Sequence, residues 1–274
     1  MAHENIEVLW GVYFMEKIKR YIDGEKCDTC GGNYLCVNDC VTSFIEKREE
    51  NGKAFVALKK RGLCINCGHC NTLCPKDAVI YEPKFAETNR YLRFLASKRT
   101  TRSYNKEKEL SRKDLEQILC AAQSAPSEKN RPTVKICMVK EQLKELFLEA
   151  LNVLKDYVES VGPLHPQYKY IMDLYEKKEP IFWGAEYAVL IIGKPQFSVD
   201  AALVAERMQL MAYSLDIASG YNGNLAFAVN HSGKLKEKLK MLDQESVLVS
   251  FALGYSRLKY REPYIGINRK VIFW

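Results

Sequence analysis

The sequence lacks any uninterrupted apolar run approaching the length of about 18 residues that a bilayer span requires. Its first ten residues, MAHENIEVLW, carry acidic side chains where a signal peptide needs basic ones, and no apolar stretch follows them. Low-complexity segments are also missing. We therefore expect a cytoplasmic protein with no membrane span.

Two common nucleotide-binding signatures are also missing. The sequence has no G-x-G-x-x-G pattern at a strand-to-helix turn and no Walker A pattern, so a separate Rossmann site is not expected. The chain has 274 residues, of which 47% are hydrophobic and 27% charged, as is typical of a folded protein with a sizeable core. At roughly 100–200 residues per domain, this length predicts two domains.

Positive charge is concentrated in one segment. The formal net charge is +7, and residues 89–145 contain fourteen Lys and Arg against seven Asp and Glu. A local excess of this kind indicates an anionic ligand rather than a surface that coats nucleic acid. No nucleic acid partner is therefore expected.

Cysteine is abundant, and its distribution is uneven. Eight of the ten cysteines lie between Cys27 and Cys74. Without an export signal these are not expected to form disulfides, so metal binding is the better interpretation. The other two, Cys120 and Cys137, lie on a helical and a strand pattern and are expected to be small core residues.

The strongest motif is Cys64-Ile-Asn-Cys67-Gly-His-Cys70-Asn-Thr-Leu-Cys74-Pro75. It matches the C-x₂-C-x₂-C-x₃-C-P run of bacterial ferredoxins, in which three cysteines hold one [4Fe–4S] cluster and the fourth reaches a second cluster. Zinc ribbons separate two C-x₂-C pairs by a long insert, so this spacing favours iron–sulfur over zinc. His69, between two ligands, is expected to tune the cluster electrostatically or to be solvated, rather than to be catalytic.

An upstream motif, Cys27-Asp-Thr-Cys30-Gly-Gly-Asn-Tyr-Leu-Cys36-Val-Asn-Asp-Cys40, is a stretched form of the same run without the final proline. If it binds a cluster, the ligands interleave into two sets: Cys27, Cys30, Cys36 and Cys74, and Cys64, Cys67, Cys70 and Cys40. The alternatives are a degenerate motif that has lost its cluster, and a separate zinc site.

Composition divides the chain into residues 1–85, an N-terminal helix and a ferredoxin-like iron–sulfur domain, and residues 86–274. The helix is expected over residues 6–22. In the second part, Ser111 and Asp114 predict a helix start. Further helices are predicted over 141–157 and 200–219, the latter ending at Gly220, and Ser232 is predicted to cap a shorter one. Strands are predicted over 133–139, 187–192 and 247–253. Because no regular βαβ repeat is present, we expect an α+β fold, in which helices pack around a sheet.

Three motifs in the second part resemble the nitroreductase family of FMN enzymes. They are Lys98-Arg99-Thr100-Thr101-Arg102-Ser103-Tyr104, then Ala125-Pro126-Ser127-Glu128-Lys129-Asn130, and finally Leu253-Gly254-Tyr255 with Lys259-Tyr260-Arg261. The resemblance covers residues 89–274. It implies the family's fold, a central, mostly antiparallel sheet packed by helices.

The resemblance also implies an FMN site. Its phosphate would be held by Lys98, Arg99, Thr100 and Arg102, with Lys259 and Arg261 as additions, since cations and a hydroxyl suit a phosphate dianion. Ser127 and Asn130 would meet the edge of the flavin ring, and Gly223 its pyrimidine side, although Tyr221 or Asn222 fits that contact equally well.

A ferredoxin-like domain joined to a flavin domain predicts an oxidoreductase that moves electrons from [4Fe–4S] clusters to FMN. The donor would be ferredoxin or NAD(P)H, and the small-molecule acceptor a nitroaromatic, a quinone or another conjugated compound. The alternative is a non-catalytic electron-transfer subunit of a larger redox complex. The resemblance further implies a homodimer with FMN at the subunit interface, and residues 271–274 are expected to add a strand to the partner's sheet.

Overall fold

The structure, a computed structural model, describes residues 19–59, 64–82, 89–177, 182–260 and 263–264. The chain divides into two units, one comprising Met1–Lys98 with Lys259–Trp274 and the other Arg99–Leu258. The sequence placed the boundary after residue 85. The first unit instead runs to Lys98 and includes a C-terminal segment, because Tyr264 N–H donates to Ala96 O at 3.0 Å and the Tyr260 ring packs on His69.

The first unit is built from short elements. In chain order they are β1 (Lys19–Ile22), α1 (Leu35–Asn38), β2 (Ile45–Glu50), β3 (Lys53–Leu58), α2 (His69–Leu73), β4 (Val79–Glu82) and α3 (Arg90–Ser97). β1 pairs with β4 and β2 with β3, both antiparallel. The helix predicted over residues 6–22 is wrong at its end, since the last four residues form β1, where pairing with β4 satisfies the backbone. Residues 6–18 lie outside the described residues.

The core of the first unit is small and rich in cysteine. Its buried cluster has seven described members, three of them cysteines: Cys36, Ile45, Val56, Cys70, Cys74, Ala78 and Val79. The described core contains few large apolar side chains, and small cores are often stabilised by bound metal.

The second unit has longer elements around one sheet. They are α4 (Arg112–Gln123), β5 (Val134–Val139), α5 (Leu143–Val161), α6 (Tyr168–Lys177), β6 (Tyr187–Gly193), α7 (Ser198–Ser214), β7 (Ala218–Tyr221), α8 (Gly223–Asn230), α9 (Gly233–Lys238) and β8 (Ser246–Gly254). The strand order is β5-β6-β8-β7 and every pair is antiparallel, which confirms the expected α+β fold. None of the helices in the described ranges is long and apolar enough to cross a membrane.

Strand β6 is buried on both faces. Val189 and Ile191 pack in a cluster with residues of α4 and α7, whereas Leu190 and Ile192 pack in a cluster with residues of α5 and α8. The alternation of side chains along a strand explains this division, and an uninterrupted apolar run is what a doubly covered strand needs. The strand prediction over 187–192 is therefore confirmed.

Most predicted helix starts in this unit are confirmed. Ser111 Oγ accepts from Asp114 N at 3.1 Å and caps α4, and Ser232 Oγ accepts from Leu235 N at 3.2 Å and caps α9. The helix predicted to run to residue 219 is wrong at its end, because α7 stops at Ser214 and β7 begins at Ala218. The expectation for Cys120 is also wrong, since this side chain lies on the exposed face of α4.

Gly220 is a strand residue and not the helix cap that the sequence predicts. It pairs with Ala252 of β8, and a Cβ on it would collide with the carbonyl oxygen of Thr101. The backbone of β7 thus lies against the segment around Thr101, and only glycine leaves room for that approach.

We expect Gly220→Ala to lower the free energy of unfolding by about 1–3 kcal/mol, because the added methyl group meets backbone rather than a movable side chain. Urea denaturation followed by circular dichroism measures the change. Gly233→Ala is the matched control, since a Cβ there meets nothing within 4 Å. Equal urea midpoints for Gly220→Ala and Gly233→Ala would show that the Thr101 carbonyl leaves room for a Cβ at position 220.

Candidate functional site

The segment from Arg99 to Tyr104 runs beside strand β7. Thr100 forms a parallel bridge with Ser219, and Thr101 N–H donates to Ser219 O at 2.9 Å. At its other end Tyr104 is 2% exposed, and its N–H donates to Trp183 O at 3.2 Å. The first resemblance motif is therefore an extended, anchored segment at the edge of the sheet.

Arg102 is held within this segment with one nitrogen unsatisfied. Its guanidinium carbon lies 5.8 Å from the centre of the Trp183 ring. Its Nη1 atom is buried and has no hydrogen-bond acceptor among the described residues. A buried guanidinium N–H without an acceptor is costly, so this atom suits an anionic or carbonyl ligand.

The other residues predicted to contact phosphate are divided between the two units. Arg99 begins the second unit together with Thr100, whereas Lys98, the C-cap of α3, and Lys259 belong to the first unit. Arg261 lies outside the described residues. Within the second unit, the structure thus brings together Arg99, Thr100 and Arg102.

Ser219 of β7, which contacts Thr100, lies close to the turn from β7 into α8. Asn222 Oδ1 accepts from Leu225 N at 3.1 Å and caps α8, and the Tyr221 hydroxyl donates to Glu206 Oε2 at 3.2 Å. Burial raises the pKa of Tyr221 to about 12, and the charge of Glu206 adds to this, so the phenol stays protonated at neutral pH. A Cβ on Gly223 would meet nothing within 4 Å, so the surface at this position is open.

Ser127 and Asn130 lie on a short 3₁₀ turn that is held by a buried carboxylate. Asp200 Oδ2 accepts from Glu128 N at 2.9 Å and from the Thr133 hydroxyl at 2.6 Å. Within the turn, Asn130 has a φ of 54°, in the left-handed region. The bonds to Asp200, which is 9% exposed, hold both ends of this strained turn on the start of α7.

This turn borders a cavity of about 230 Å³ whose polar lining includes Ser127, Asn130, Arg131 and Asp200. None of the residues Arg99 to Arg102 lines the cavity. Ser127 and Asn130 thus border a cavity that the residues of the first motif do not share.

All eight motif cysteines lie in the first unit. All ten cysteines are within the described residues and none forms a disulfide. Burial raises the pKa of the Cys36 thiol to about 12, and the electrostatic influence of its neighbours Cys30, Cys74 and Cys27 acts in the same direction. Cys36 is thus a buried thiol with the other three cysteines of its predicted set among its neighbours.

The second set lines one cavity, which is bordered by Cys40, Cys64, Cys67 and Cys70 together with Asp39 and His69. His69 is 4% exposed, so the solvated alternative for this residue is wrong. Its Nδ1 lies 2.8 Å from Asp39 Oδ2. Within the part of the chain that the structure describes, no three His, Cys, Asp or Glu side chains are grouped closely enough to hold a single metal ion.

Backbone amides point at the last cysteine of each motif. Phe44 N–H donates to Cys40 Sγ at 3.2 Å and Ala78 N–H donates to Cys74 Sγ at 3.3 Å. Such bonds stabilise negative charge on sulfur and tune sulfur ligands of iron.

Sequence reasoning missed Asp200 and Trp183, and it gave Asp39 no role. Asp200 carries one usable signal, an acidic residue in the first turn of a helix. Its partners lie 72 and 67 residues away in the chain, so no local pattern could identify them.

The comparisons with known proteins concern mainly the second unit. The family model described as Nitroreductase matches residues 95–255. A nitroreductase with bound FMN from Bacteroides fragilis NCTC 9343 is 25% identical, covers 67% of this chain and 100% of its own, and has a TM-score of 0.53. No curated protein matches the chain.

Two further solved structures share the fold at lower identity. A nitroreductase with bound FMN from Desulfitobacterium hafniense DCB-2 is 23% identical with a TM-score of 0.56, covering 69% of this chain and 100% of its own. An FMN-dependent nitroreductase from Clostridium difficile R20291 is 17% identical with a TM-score of 0.52, covering 68% and 99%.

We expect Asp200→Asn to reduce stability at neutral pH and to have less effect in acid. The Thr133 hydroxyl, followed by the Glu128 N–H, lowers the pKa of Asp200 in the folded state. Its stabilising contribution is therefore present above the unfolded-state pKa of about 3.9 and is lost as the pH falls through the lower folded-state value. Thermal unfolding between pH 7 and pH 3 measures the convergence of variant and wild type.

Asp243→Asn removes a carboxylate from an exposed position and is the control. A constant difference between Asp200→Asn and wild type across this pH range would contradict the role assigned to the carboxylate.

Proposed function

The chain belongs to the nitroreductase family, and we propose that it is an FMN-dependent oxidoreductase that also carries two [4Fe–4S] clusters. It would take electrons from ferredoxin or NAD(P)H and deliver them to a nitroaromatic, a quinone or another conjugated acceptor. The observation that carries the proposal is the family match over residues 95–255, together with the FMN-bound B. fragilis neighbour. When bound, the clusters supply one-electron transfer and the flavin supplies one- or two-electron chemistry.

The residues of the second unit fit a flavin phosphate. Arg99, Thr100 and Arg102 are anchored on one extended segment, and the buried Nη1 of Arg102 needs an acceptor that a phosphate or a flavin carbonyl oxygen would supply. We assign Lys98, Lys259 and Arg261 to the same phosphate on the strength of the family resemblance. Their charges would strengthen binding without adding any chemical step.

Contacts to the flavin ring would come from Ser127, Asn130 and Gly223. The open surface at Gly223 leaves space for a flat ring close to the backbone. Ser127 and Asn130 border a cavity whose lining does not include Gly223 or the phosphate segment. We attribute this division to a site assembled from two chains, as the family resemblance implies.

A homodimer of this kind is supported by α7. Its outward face carries Val199, 67% exposed, and Leu203, 38% exposed, and Tyr221 on β7 is 43% exposed. Large apolar side chains that share one side of a helix without a cover are typical of an interface. In a two-fold dimer, the turn at Ser127 of one protomer and the phosphate segment of its partner would together form one FMN site.

Iron–sulfur binding by the first unit is supported by three observations. Cys40, Cys64, Cys67 and Cys70 line one cavity, Cys36 and Cys74 are buried in the same core cluster, and amide N–H groups point at Cys40 and Cys74. A four-iron cluster takes one thiolate on each iron, so it does not need all of its ligands to converge on one ion. The small, cysteine-rich core would gain most of its stability from such a ligand.

Cofactor content is the first test of the proposed function. Protein purified without oxygen is expected to carry about eight irons and about one FMN per chain, with both iron–sulfur and flavin absorbance. Steady-state reduction of a nitroaromatic is then measured with chemically reduced ferredoxin and, separately, with NADPH. A cofactor-loaded protein that reduces no acceptor with either donor would instead be an electron-transfer subunit.

The phosphate assignment is tested by the double variant Lys98→Ala/Arg102→Ala. Each charge-assisted contact contributes about 1.5–3 kcal/mol, so the loss of two is expected to weaken FMN binding by at least about 100-fold. The iron content should stay unchanged. Fluorescence titration with FMN and an iron assay give the two values. The control, Arg112→Ala/Lys113→Ala, removes the same charge from the exposed start of α4. Normal FMN binding by both double variants would show that the flavin phosphate does not bind at Lys98 and Arg102.

A further inference from the structure

A buried hydrogen bond joins the two cysteine motifs. His69 Nδ1 and Asp39 Oδ2 are 2.8 Å apart, and both side chains are 5% exposed. Asp39 directly precedes Cys40 at the end of α1, and His69 begins α2 between Cys67 and Cys70. The bond thus connects residues that are 30 positions apart in the chain but adjacent to cysteines of the same predicted set.

Cys40 needs such a connection more than the other members of its set. Cys64, Cys67 and Cys70 follow one another in a single short motif, whereas Cys40 comes from the stretched upstream motif. Among the described residues, the local contacts of its sulfur are Phe44 N–H at 3.2 Å and the Thr42 hydroxyl at 3.7 Å, both on its own segment. Neither contact reaches the downstream motif, towards which Cys40 otherwise has apolar packing on the cluster of Cys70 and Cys74. The Asp39–His69 bond adds a directional link to that packing.

We infer that Asp39 is a positioning residue that holds Cys40 beside Cys64, Cys67 and Cys70, so that the four sulfurs form one cluster site. This inference rests on the proposed function, because it assumes that this set binds iron. The same cavity is lined by all four cysteines and by both members of the Asp39–His69 pair.

The physical basis is the cost of leaving a buried polar group unpaired. A hydrogen bond to a carboxylate in a water-poor interior is strong, and removing one partner leaves the other desolvated and unsatisfied. The bond needs only the Nδ1 proton, which the neutral imidazole ring can carry. The Tyr260 ring centre is 4.8 Å from that of His69, and the Tyr260 hydroxyl oxygen lies 3.3 Å from the same Nδ1. Tyr260 thus helps to orient the imidazole, but it does not replace the carboxylate that ties His69 to the segment of Cys40.

The test compares Asp39→Ala with Asp39→Asn in the full chain, purified without oxygen. Asp39→Ala removes the acceptor, so iron content is expected to fall from about eight to about four per chain, while FMN content is unchanged. Asp39→Asn keeps an acceptor oxygen and is expected to restore most of the iron. Electron paramagnetic resonance of the reduced protein should change from the signal of two interacting clusters to that of one.

Two controls separate positioning from a general loss of structure. Glu49→Ala removes one exposed carboxylate from β2 of the same unit and should leave iron content normal. Cys40→Ser should itself lose one cluster, and Asp39→Ala added to Cys40→Ser should lose no more iron if Asp39 acts through Cys40.

Full iron content in Asp39→Ala would overturn the inference, as would equal losses in Asp39→Asn and Asp39→Ala. Additive iron loss in the double variant would also overturn it. Wild-type protein without iron would instead refute the proposed cluster binding, so the two failures are distinguishable.

Discussion

The second unit depends on the hydrogen-bonded pairing of β6 and β8. Residues 188–193 of β6 are all buried, so their N–H and C=O groups have no water to bind and must pair on both sides. β5 and β8 supply those partners, while helices cover both faces. Because β7 can then pair only with the free side of β8, Ser219 is placed where Thr100 and Thr101 meet it. The candidate phosphate segment thus derives its position from the most buried strand of the fold.

The first unit rests on a different constraint. Its elements are short, and three of its seven described core residues are cysteines, the side chains that the proposed clusters would bind. Packing and the proposed ligation would therefore be carried by the same residues. A free Cys36 thiol, whose pKa burial raises to about 12, remains protonated at neutral pH, whereas ligation to iron would require its thiolate. Under the proposed function, folding and metal loading of this unit would consequently be linked, in contrast to the second unit, whose core contains no predicted ligand.

The sequence predicted what depends on local pattern. The continuous apolar run of β6 and the caps at Ser111 and Ser232 all involve neighbours within a few residues. Features that depend on distant partners were missed. The end of α7 was placed at Gly220 because a glycine after an apolar helix resembles a cap, whereas its real constraint is the Thr101 carbonyl, 119 residues earlier in the chain. The contacts of Tyr260 with His69 and of Tyr264 with Ala96 likewise join residues that are far apart in the chain, so the sequence did not predict them.

Two buried aspartates illustrate how such distant constraints shape the candidate sites. Asp200 ties the turn that carries Ser127 and Asn130 to α7, and Asp39 ties the segment that carries Cys40 to α2. In each case the residues expected to contact a cofactor lie on short irregular segments with only local backbone bonds of their own. A carboxylate suits this task because it accepts several hydrogen bonds at once and is costly to leave unpaired when buried. The groups expected to contact a cofactor are thereby positioned before any ligand arrives, which would reduce the ordering cost of binding.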